Sequence, residues 1–175
     1  MDEININSVI LTPLKKIYHP EGSIYHGLKK SGVGFAGFGE AYFSEIKGGK
    51  VKGWNRHKKM ILNLIVPFGE VTFVIYDNIE KSGSKENIFK VTLSQTNYQR
   101  LTVPPGLWLA FRGNGNNTNL ILNIANMEHD PNEIEKMNNH SDFRHFIYGS
   151  FTLLNQKNPY IKNKSKLKTE FHLYD

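Results

Sequence analysis

The residues best suited to chemistry stand close together in the first third of the chain. The run from 49 to 59 reads Gly-Lys-Val-Lys-Gly-Trp-Asn-Arg-His-Lys-Lys and combines five cationic side chains with an indole, an amide and an imidazole. In an extended strand, Asn55 and His57 project from one face, whereas Trp54 and Arg56 project from the other. Clustered cations bind anionic groups, and imidazole exchanges protons near neutral pH. The run suits anion binding with proton transfer, and it equally fits a solvated strand edge that lysine protects from aggregation.

Short stretches rich in β-branched and aromatic residues, separated by glycine, proline and asparagine, must position that run. They predict strands joined by turns, over residues 39–46, 60–67, 70–77, 88–93, 100–103, 108–111 and 120–125. Pro67-Phe68-Gly69 predicts a tight hairpin, and Asp130 followed by Pro131 predicts a short helix over residues 131–137. About eight strands at this spacing predict an all-β jelly roll, closed barrel or sandwich, a group that includes the cupins.

A length of 175 residues fits a single domain with a substantial core. We expect one cupin-type domain over residues 1–155 and a basic tail or added strand over residues 156–175. Residues 156–168 hold five lysines and no acidic residue, and so account for much of the net charge of +6. The rest of the chain is mildly basic, which suits an anionic small ligand at least as well as nucleic acid. We therefore expect no nucleic-acid partner.

The chain has no cysteine, which excludes a disulfide framework, a thiolate zinc site and a cysteine nucleophile. Its first seven residues carry two acidic side chains and no apolar stretch of the kind that export signals contain. No apolar run approaches the roughly 18 residues needed to span a bilayer. From these features we expect a cytoplasmic protein without a membrane partner.

Several segments together resemble a known family. Residues 52–57 read Lys-Gly-Trp-Asn-Arg-His and residues 103–108 read Val-Pro-Pro-Gly-Leu-Trp. With residues 39–44, 63–67 and 69–77, in this order, they resemble the dTDP-4-dehydrorhamnose 3,5-epimerase family of the cupin superfamily, in a divergent, short form. The resemblance spans residues 11–132. It implies a β-jelly-roll homodimer that binds a nucleoside-diphosphate sugar and acts beside a 4-keto group, in deoxysugar or surface-polysaccharide synthesis, without metal or cofactor.

Such a reaction removes and returns a proton on a carbon next to a ketone, so it needs a base, a donor to the enolate oxygen and an acid. Matched to the family, the catalytic histidine falls on Asn55 and the tyrosine acid falls on Asn123, and neither amide can transfer the proton. Asn123 is kept as a candidate for substrate binding. The family's arginine falls on Lys52, which keeps the positive charge, and its N-terminal acidic residue falls on His26.

These departures leave three alternatives. His57, two residues beyond Asn55 on the same face, takes the role of base; or His26 or Tyr42 supplies the acid or the base. The third alternative is a different reaction, such as single-centre epimerisation or ketoisomerisation, or no reaction. We favour His57 as the base, with Asn55 and Asn63 donating hydrogen bonds to the enolate oxygen.

Further residues are candidates for substrate binding. Lys52, Arg56 and Arg112 are expected to meet the diphosphate, because ammonium and guanidinium groups pair well with phosphate oxygens. Trp108 and Tyr42 are candidates for stacking on the base or the sugar. For Trp108, packing in the core is the better explanation.

A metal-dependent cupin would hold its ion through His-x-His, a glutamate and a later histidine. Here the first histidine position is Asn55, Asn63 lies next to the glutamate position, and the later histidine position is Leu109. His57 is left alone among neutral amides, which bind such ions poorly. We therefore expect neither a metal nor another cofactor.

A second class of function stays open alongside the epimerase or isomerase. Loss of both expected proton-transfer residues would also fit a catalytically silent cupin that binds a nucleoside-diphosphate sugar. A nucleic-acid binder ranks third, and it would show a steep dependence of affinity on salt.

Overall fold

The computed structural model describes residues 5–137, and the regular secondary structure within them is almost entirely β-strand. The elements are a 3-10 turn (Ile6–Ser8), β1 (Ile10–Pro13), β2 (Lys16–Ile17), β3 (Ile24–Tyr25), β4 (Glu40–Lys47), β5 (Val51–His57), β6 (Leu62–Phe68), β7 (Glu70–Tyr76), β8 (Ile88–Ser94), β9 (Gln99–Val103), β10 (Trp108–Gly113), β11 (Thr118–Ala125), a second 3-10 turn (Pro131–Glu133) and β12 (Ile134–Lys136). No helix among these residues is long and apolar enough to cross a membrane.

Ten of the strands form two antiparallel five-stranded sheets. Sheet one has the order β1-β9-β6-β11-β4, and sheet two has the order β12-β5-β10-β7-β8. Strands β2 and β3 pair separately as a small ribbon. Consecutive strands repeatedly change sheet, which is the connectivity of a jelly roll. The predicted all-β, cupin-type fold is confirmed.

The core lies between the two sheets. Alternation along β6 turns Leu62, Leu64 and Val66 inwards, and alternation along β7 does the same for Val71 and Phe73. Both strands are buried on the other face as well, which explains why they read as continuous apolar runs. We call the two surfaces that face this core the inner faces of the sheets, and the opposite surfaces their outer faces.

The predicted hairpin at Pro67-Phe68-Gly69 is wrong. β6 pairs with β9 and β11, whereas β7 pairs with β10 and β8, so the chain crosses between sheets at this point instead of folding back within one. Gly69 has a φ of +79°, and a Cβ there would lie 2.2 Å from the Oδ1 of Asn119. A glycine indicates a sharp change of chain direction both in a hairpin and in a crossing between sheets, so the local sequence does not distinguish the two structures.

The helix predicted over residues 131–137 is limited to its first turn. Asp130 caps the 3-10 turn by accepting a hydrogen bond from the Asn132 N–H at 2.9 Å, and Pro131 follows the cap as expected. Ile134 then starts β12, which pairs antiparallel with β5 opposite His57. The sequence signals for the start of a helix were correct. The helix does not continue, because residues 134–136 pair with β5, which is distant in sequence. The predicted boundary at residue 155 and the basic tail lie outside the described residues.

Candidate active site

A bulge in β5 decides which of its side chains face the core. Leu109 of β10 is paired with Asn55, and Phe111 is paired with Lys52, so two residues of β5 lie opposite one residue of β10. Leu109 and Phe111 both pack in the core. Because residues paired across strands project to the same side, Lys52, Asn55 and His57 all lie on the inner face of sheet two. A regular strand would have placed Lys52 on the outer face.

Gly53 makes this bulge possible. Its φ is +127°, and a Cβ at this position would lie 2.7 Å from the Cα of Ala110 and 2.8 Å from the carbonyl oxygen of Leu109. A side chain therefore fits neither the backbone conformation nor the space between the strands. The glycine in the 52–57 segment has a structural task, which is to bring Lys52 onto the face of Asn55 and His57.

His57 forms a close pair with Glu133. Its Nδ1 lies 2.6 Å from the Oε2 of Glu133, and the two side chains are only 11% and 3% exposed. The other carboxylate oxygen accepts hydrogen bonds from the N–H groups of Lys59 and Met60, at 2.6 and 2.7 Å. Burial acts to raise the pKa of Glu133, but these two N–H groups and His57 outweigh it and hold the pKa below its ordinary value.

This pairing has a direct consequence for the imidazole. An ionised carboxylate is only an acceptor, so Nδ1 of His57 carries the hydrogen that it donates to Glu133. The neutral ring then presents Nε2 as an unprotonated base. The arrangement is that of an imidazole oriented by a carboxylate, and a fixed tautomer of this kind suits the task of a general base.

A second polar pair lies on the inner face of sheet one. Tyr42 of β4 and Asn123 of β11 are directly paired across the strands, and Nδ2 of Asn123 donates to the Tyr42 hydroxyl oxygen at 3.0 Å. The hydroxyl hydrogen of Tyr42, which is 43% exposed, is thus left to donate elsewhere. Asn123 is only 2% exposed, and its Oδ1 has no hydrogen-bond partner among the described residues. The pair offers one donor and one acceptor to a ligand.

Lys52 joins the two sheets at the edge where these pairs lie. β4 is the last strand of sheet one, and the chain passes directly from it to β5 of sheet two. The Nζ of Lys52 donates to the carbonyl oxygen of Glu45 at 2.6 Å, across this edge. Moving away from this bridge along both strands leads to Tyr42 on one inner face and to Asn55 and His57 on the other. Lys52, Asn55 and His57 thus share the inner face of β5, and Tyr42 and Asn123 lie on the inner face of sheet one, at the side of the jelly roll where β4 leads into β5.

Comparison with known proteins places the chain in a family. No family model matches it. A dTDP sugar isomerase from Desulfovibrio desulfuricans G20 is 34% identical, with a TM-score of 0.75 over 78% of this chain and 87% of that one. The chain belongs to the dTDP-4-dehydrorhamnose 3,5-epimerase-like family of cupins. The resemblance stated from the sequence is confirmed.

Two other known proteins share the fold or part of the sequence. A dTDP-4-dehydrorhamnose 3,5-epimerase from Bacillus anthracis str. Ames, solved with TDP and PPi bound, shares the fold with a TM-score of 0.68 and 18% identity, over 78% of this chain and 82% of that one. The protein named "Probable low-salt glycan biosynthesis epimerase Agl13", from Haloferax volcanii, is 28% identical over 91 residues, which is 51% of this chain. The match covers 58% of that relative's length.

Three predicted site residues of this epimerase-like protein lie on the outer face of sheet two. Arg56 donates to Glu135 through Nε at 2.8 Å and through Nη2, and to the Oδ1 of Asn78 at 3.2 Å. Its guanidinium lies 4.7 Å from the ring centre of Trp108, whose Nε1 also donates to Asn78. Arg112 projects to the same side by regular alternation along β10. Arg56 and Trp108 are therefore occupied in packing, and Arg112 is turned away from the inner face.

Two further predicted residues are also absent from the inner faces. Asn63 is 1% exposed on the outer face of sheet one, where its Oδ1 accepts a hydrogen bond from the Thr102 hydroxyl at 2.8 Å. His26 follows β3, and its backbone N–H and carbonyl bond to Lys15 and to the Tyr98 hydroxyl. The next residue, Gly27, lies against Ile65 and Ile124, which project from the outer face of sheet one. Among the amides predicted to donate to an enolate, Asn55 alone faces inwards.

Glu133 is the site residue that sequence reasoning missed. It falls within the helix predicted over residues 131–137, a position that indicates no role in a site. The partner His57 lies 76 positions earlier, and the pairing of β12 with β5 brings the two together. No pattern in the neighbouring residues indicates such a pair. Within residues 5–137, no group of three His, Cys, Asp or Glu side chains could hold a metal ion; the expected absence of a metal stays a prediction.

Proposed function

We propose that this protein is an epimerase or isomerase of a nucleoside-diphosphate 4-keto-6-deoxy sugar, working by removal and return of a proton next to the keto group. The observation that carries the proposal is the buried His57–Glu133 pair, whose imidazole belongs to the same inner face as Asn55. Support also comes from the family, whose relatives include the dTDP sugar isomerase and the dTDP-4-dehydrorhamnose 3,5-epimerase described above.

His57 acts as the base in this proposal. A carbon next to a ketone loses its proton only to a base placed within hydrogen-bond reach, and a base with a pKa near the working pH is the most effective. Glu133 is a positioning residue, because its contact with Nδ1 fixes the ring and leaves Nε2 to accept the proton. When the ring becomes positive, the buried carboxylate stabilises it.

Asn55 and Lys52 lie on the same face as His57 and suit the enolate that forms. An amide N–H donated to the developing oxyanion stabilises the transition state more than the ground state, because the charge on that oxygen grows during the reaction. The ammonium of Lys52 adds a fixed positive charge on the same side of the strand. Asn55 therefore replaces the predicted pair of amides, since Asn63 faces the other way.

Tyr42 acts as the acid. Inversion at a carbon requires that the proton be removed from one face and returned to the other, so base and acid must stand on opposite sides of the sugar. His57 belongs to sheet two and Tyr42 to sheet one, and the two inner faces oppose each other. Because Asn123 donates to the Tyr42 oxygen, the hydroxyl hydrogen is directed away from Asn123.

A catalytically silent sugar-nucleotide binder is the second candidate. It is favoured by the amides at Asn55 and Asn123, the positions on which the family's histidine and tyrosine fall. The two candidates differ in one measurable respect, because both bind the nucleotide sugar and only the enzyme exchanges a ring proton with solvent.

Incubation with dTDP-4-keto-6-deoxyglucose in deuterium oxide separates them. The proposal predicts an increase in mass from deuterium at C3, C5 or both, together with a new stereoisomer by NMR. Binding of the sugar nucleotide with no label above the uncatalysed rate would establish the silent module and overturn the enzyme.

We also propose that the protein works as a cytoplasmic homodimer. The support is the family resemblance for the dimer, and for the location it is the lack of cysteine. Size-exclusion chromatography with light scattering tests the dimer, and a monomer at micromolar concentration contradicts it.

A further inference from the structure

Asn123 is a polar side chain in the middle of an apolar surface. On the inner face of β11 it lies between Ile121 and Ala125, and across the strands it is paired with Leu64 of β6. These three neighbours belong to the core, and each is at most 6% exposed. Tyr42 of β4, on the fourth side, is the exposed one of these four neighbours. A ligand therefore reaches the amide from the side of Tyr42.

The amide of Asn123 is only half satisfied. Its Nδ2 donates to the Tyr42 hydroxyl oxygen at 3.0 Å, whereas its buried Oδ1 accepts no hydrogen bond from any residue in the range 5–137. A buried acceptor without a donor destabilises a fold, and an apolar side chain of the same shape, such as leucine, would avoid that cost. The packing of the protein gives this oxygen no task, which indicates that its donor belongs to a ligand.

The proposed substrate limits which donor this can be. On the ring of a nucleotide-linked 4-keto-6-deoxy sugar, hydroxyl groups remain only at C2 and C3, because C1 carries the phosphate, C4 is a carbonyl carbon and C6 is a methyl group. C5 carries that methyl group and the ring oxygen, and neither of them can donate a hydrogen bond. The donor to Oδ1 is therefore a hydroxyl on the C2–C3 side of the sugar.

The contact with Tyr42 connects this hydroxyl to the reacting carbon. The Nδ2 and Oδ1 atoms of Asn123 are bonded to the same carbon, so a group that donates to Oδ1 lies beside the Tyr42 hydroxyl. Tyr42 returns the proton in the function proposed above, and it must therefore meet the carbon that reacts. If that carbon were C5, no hydroxyl would lie next to it. C3 carries a hydroxyl of its own, which is the donor that Oδ1 lacks.

We propose that the Oδ1 of Asn123 accepts a hydrogen bond from the C3 hydroxyl of the sugar, and that the protein exchanges the proton of C3 and not that of C5. The proposal rests on the function proposed above and narrows it to one carbon. His57 takes the proton of C3, and the electron pair of the broken C–H bond forms the C3–C4 double bond of the enolate, with the charge on the C4 oxygen. Tyr42 then gives its proton to the opposite face of C3 as the C4 carbonyl forms again. Exchange with solvent returns both side chains to their starting states.

Calorimetric titration of the whole chain with two unreactive ligands tests the contact with Asn123. Neither dTDP-6-deoxyglucose nor dTDP-3,6-dideoxyglucose has a ketone, and only the first carries the C3 hydroxyl. Wild type should bind the first about tenfold more tightly, because the second leaves Oδ1 unpaired. Asn123→Leu should bind the two ligands with equal affinity. Equal affinities in wild type, or an undiminished preference in Asn123→Leu, would overturn the contact.

Tyr42→Phe is the matched control for this titration. It breaks the same hydrogen bond between Asn123 and Tyr42 as Asn123→Leu does, but it keeps Oδ1. The preference for the C3 hydroxyl should therefore persist in Tyr42→Phe and disappear in Asn123→Leu. Loss of the preference in both variants would assign it to Tyr42 and contradict the proposal. Thermal unfolding checks that both variants fold, and the wild-type preference is a test that needs no variant.

The position of the label tests the choice of carbon. After incubation of wild type with dTDP-4-keto-6-deoxyglucose in deuterium oxide, NMR should find deuterium at C3 and the original hydrogen at C5. Label that enters C5 as fast as C3 would refute the restriction to C3 and leave the proposed epimerase standing. If no label enters above the uncatalysed rate, the epimerase and the restriction to C3 fall together. In that case the two titrations still decide whether Asn123 holds the C3 hydroxyl.

Discussion

The Nδ1 of His57 lies 2.6 Å from the Oε2 of Glu133, although 76 residues separate them in the chain. The contact depends on β12, which pairs with β5 so that Ile134 lies opposite His57. Two backbone N–H groups, those of Lys59 and Met60, hold the other carboxylate oxygen. Glu133 is therefore fixed from two sides, and His57 is fixed by Glu133.

Replacing Glu133 by glutamine should cost activity through the tautomer of His57. The amide oxygen can still accept from Lys59 and Met60, but the amide NH2 then faces Nδ1, which must become an acceptor. The hydrogen moves to Nε2, and the ring can no longer take a proton from the sugar. We expect kcat to fall by about 10²- to 10⁴-fold with little change in the affinity for dTDP. Steady-state kinetics and calorimetry measure the two quantities.

Glu135→Gln is the matched control for that variant. Glu135 lies two residues further along β12 and pairs with Arg56 on the outer face of sheet two. The same substitution there should leave kcat within about twofold, because surface ion pairs contribute little. A loss in Glu135→Gln as large as that in Glu133→Gln would indicate damage to β12 and not to the base.

Tyr42→Phe should separate removal of the proton from its return. The phenyl ring keeps the packing of Tyr42 but loses the hydroxyl that accepts from Asn123. If Tyr42 is the acid, formation of the inverted sugar should fall by about 10²-fold or more, while His57 still removes the proton and returns solvent deuterium to the original face. Mass spectrometry detects that label, and NMR measures the product. Wild-type formation of the inverted product would rule Tyr42 out.

The stability of the protein should fall in acid because of two buried carboxylates. The pKa values of Glu133 and Asp77 lie below their ordinary values of 4.5 and 3.8. Burial acts to raise the pKa of Asp77, but hydrogen bonds from the hydroxyls of Ser82 and Ser84 and from the N–H of Ile79 outweigh it. A carboxylate whose pKa is lower in the folded than in the unfolded protein stabilises the fold at any pH above the unfolded-state pKa. This stabilisation is lost as the pH falls through the folded-state pKa.

Urea unfolding from about pH 6 down to about pH 2 measures this loss. The free energy of unfolding should decrease across the acid end of the range, and the decrease should be smaller in Glu133→Gln, which has one carboxylate fewer to protonate. A pH dependence identical to that of wild type would show that Glu133 is not held ionised by its partners.

Two glycines should be intolerant of alanine. A Cβ at Gly53 would meet Ala110, and a Cβ at Gly69 would meet Asn119, and both residues have positive φ. We expect each alanine variant to lose about 1–3 kcal/mol of stability or more, from strain and overlap together. At Gly83 a Cβ meets nothing within 4 Å, so Gly83→Ala is the control. Thermal melting compares the three, and equal melting temperatures would contradict the account of the bulge.

Much of the fold followed from local pattern. The stretch 39–46 became β4 (Glu40–Lys47), and 70–77 became β7 (Glu70–Tyr76), because alternating or continuous apolar residues commit a segment to one kind of buried surface. The pairing of the segments did not follow. Gly69 is compatible with a turn within one sheet and with a crossing to the other sheet. Only the strands that pair with β6 and β7 decide between these two paths.

The site was predictable where it depends on alternation alone. Asn55 and His57 share a face as expected, and Arg56 takes the opposite one. Lys52 lies with Asn55 only because of the bulge at Gly53, which a simple count of alternate residues misses. Glu133 depends on a contact with a residue 76 positions away in the sequence, and such a contact leaves no trace in neighbouring residues.

The central claim is that His57 removes the ring proton, and deuterium incorporation by His57→Gln tests it most directly. Glutamine can still donate to Glu133 but cannot act as a base. Wild type and the exposed-residue control His19→Gln should both introduce label into dTDP-4-keto-6-deoxyglucose, whereas His57→Gln should bind dTDP normally and introduce label at least about 10²-fold more slowly. Labelling by His57→Gln at the wild-type rate would contradict the claim.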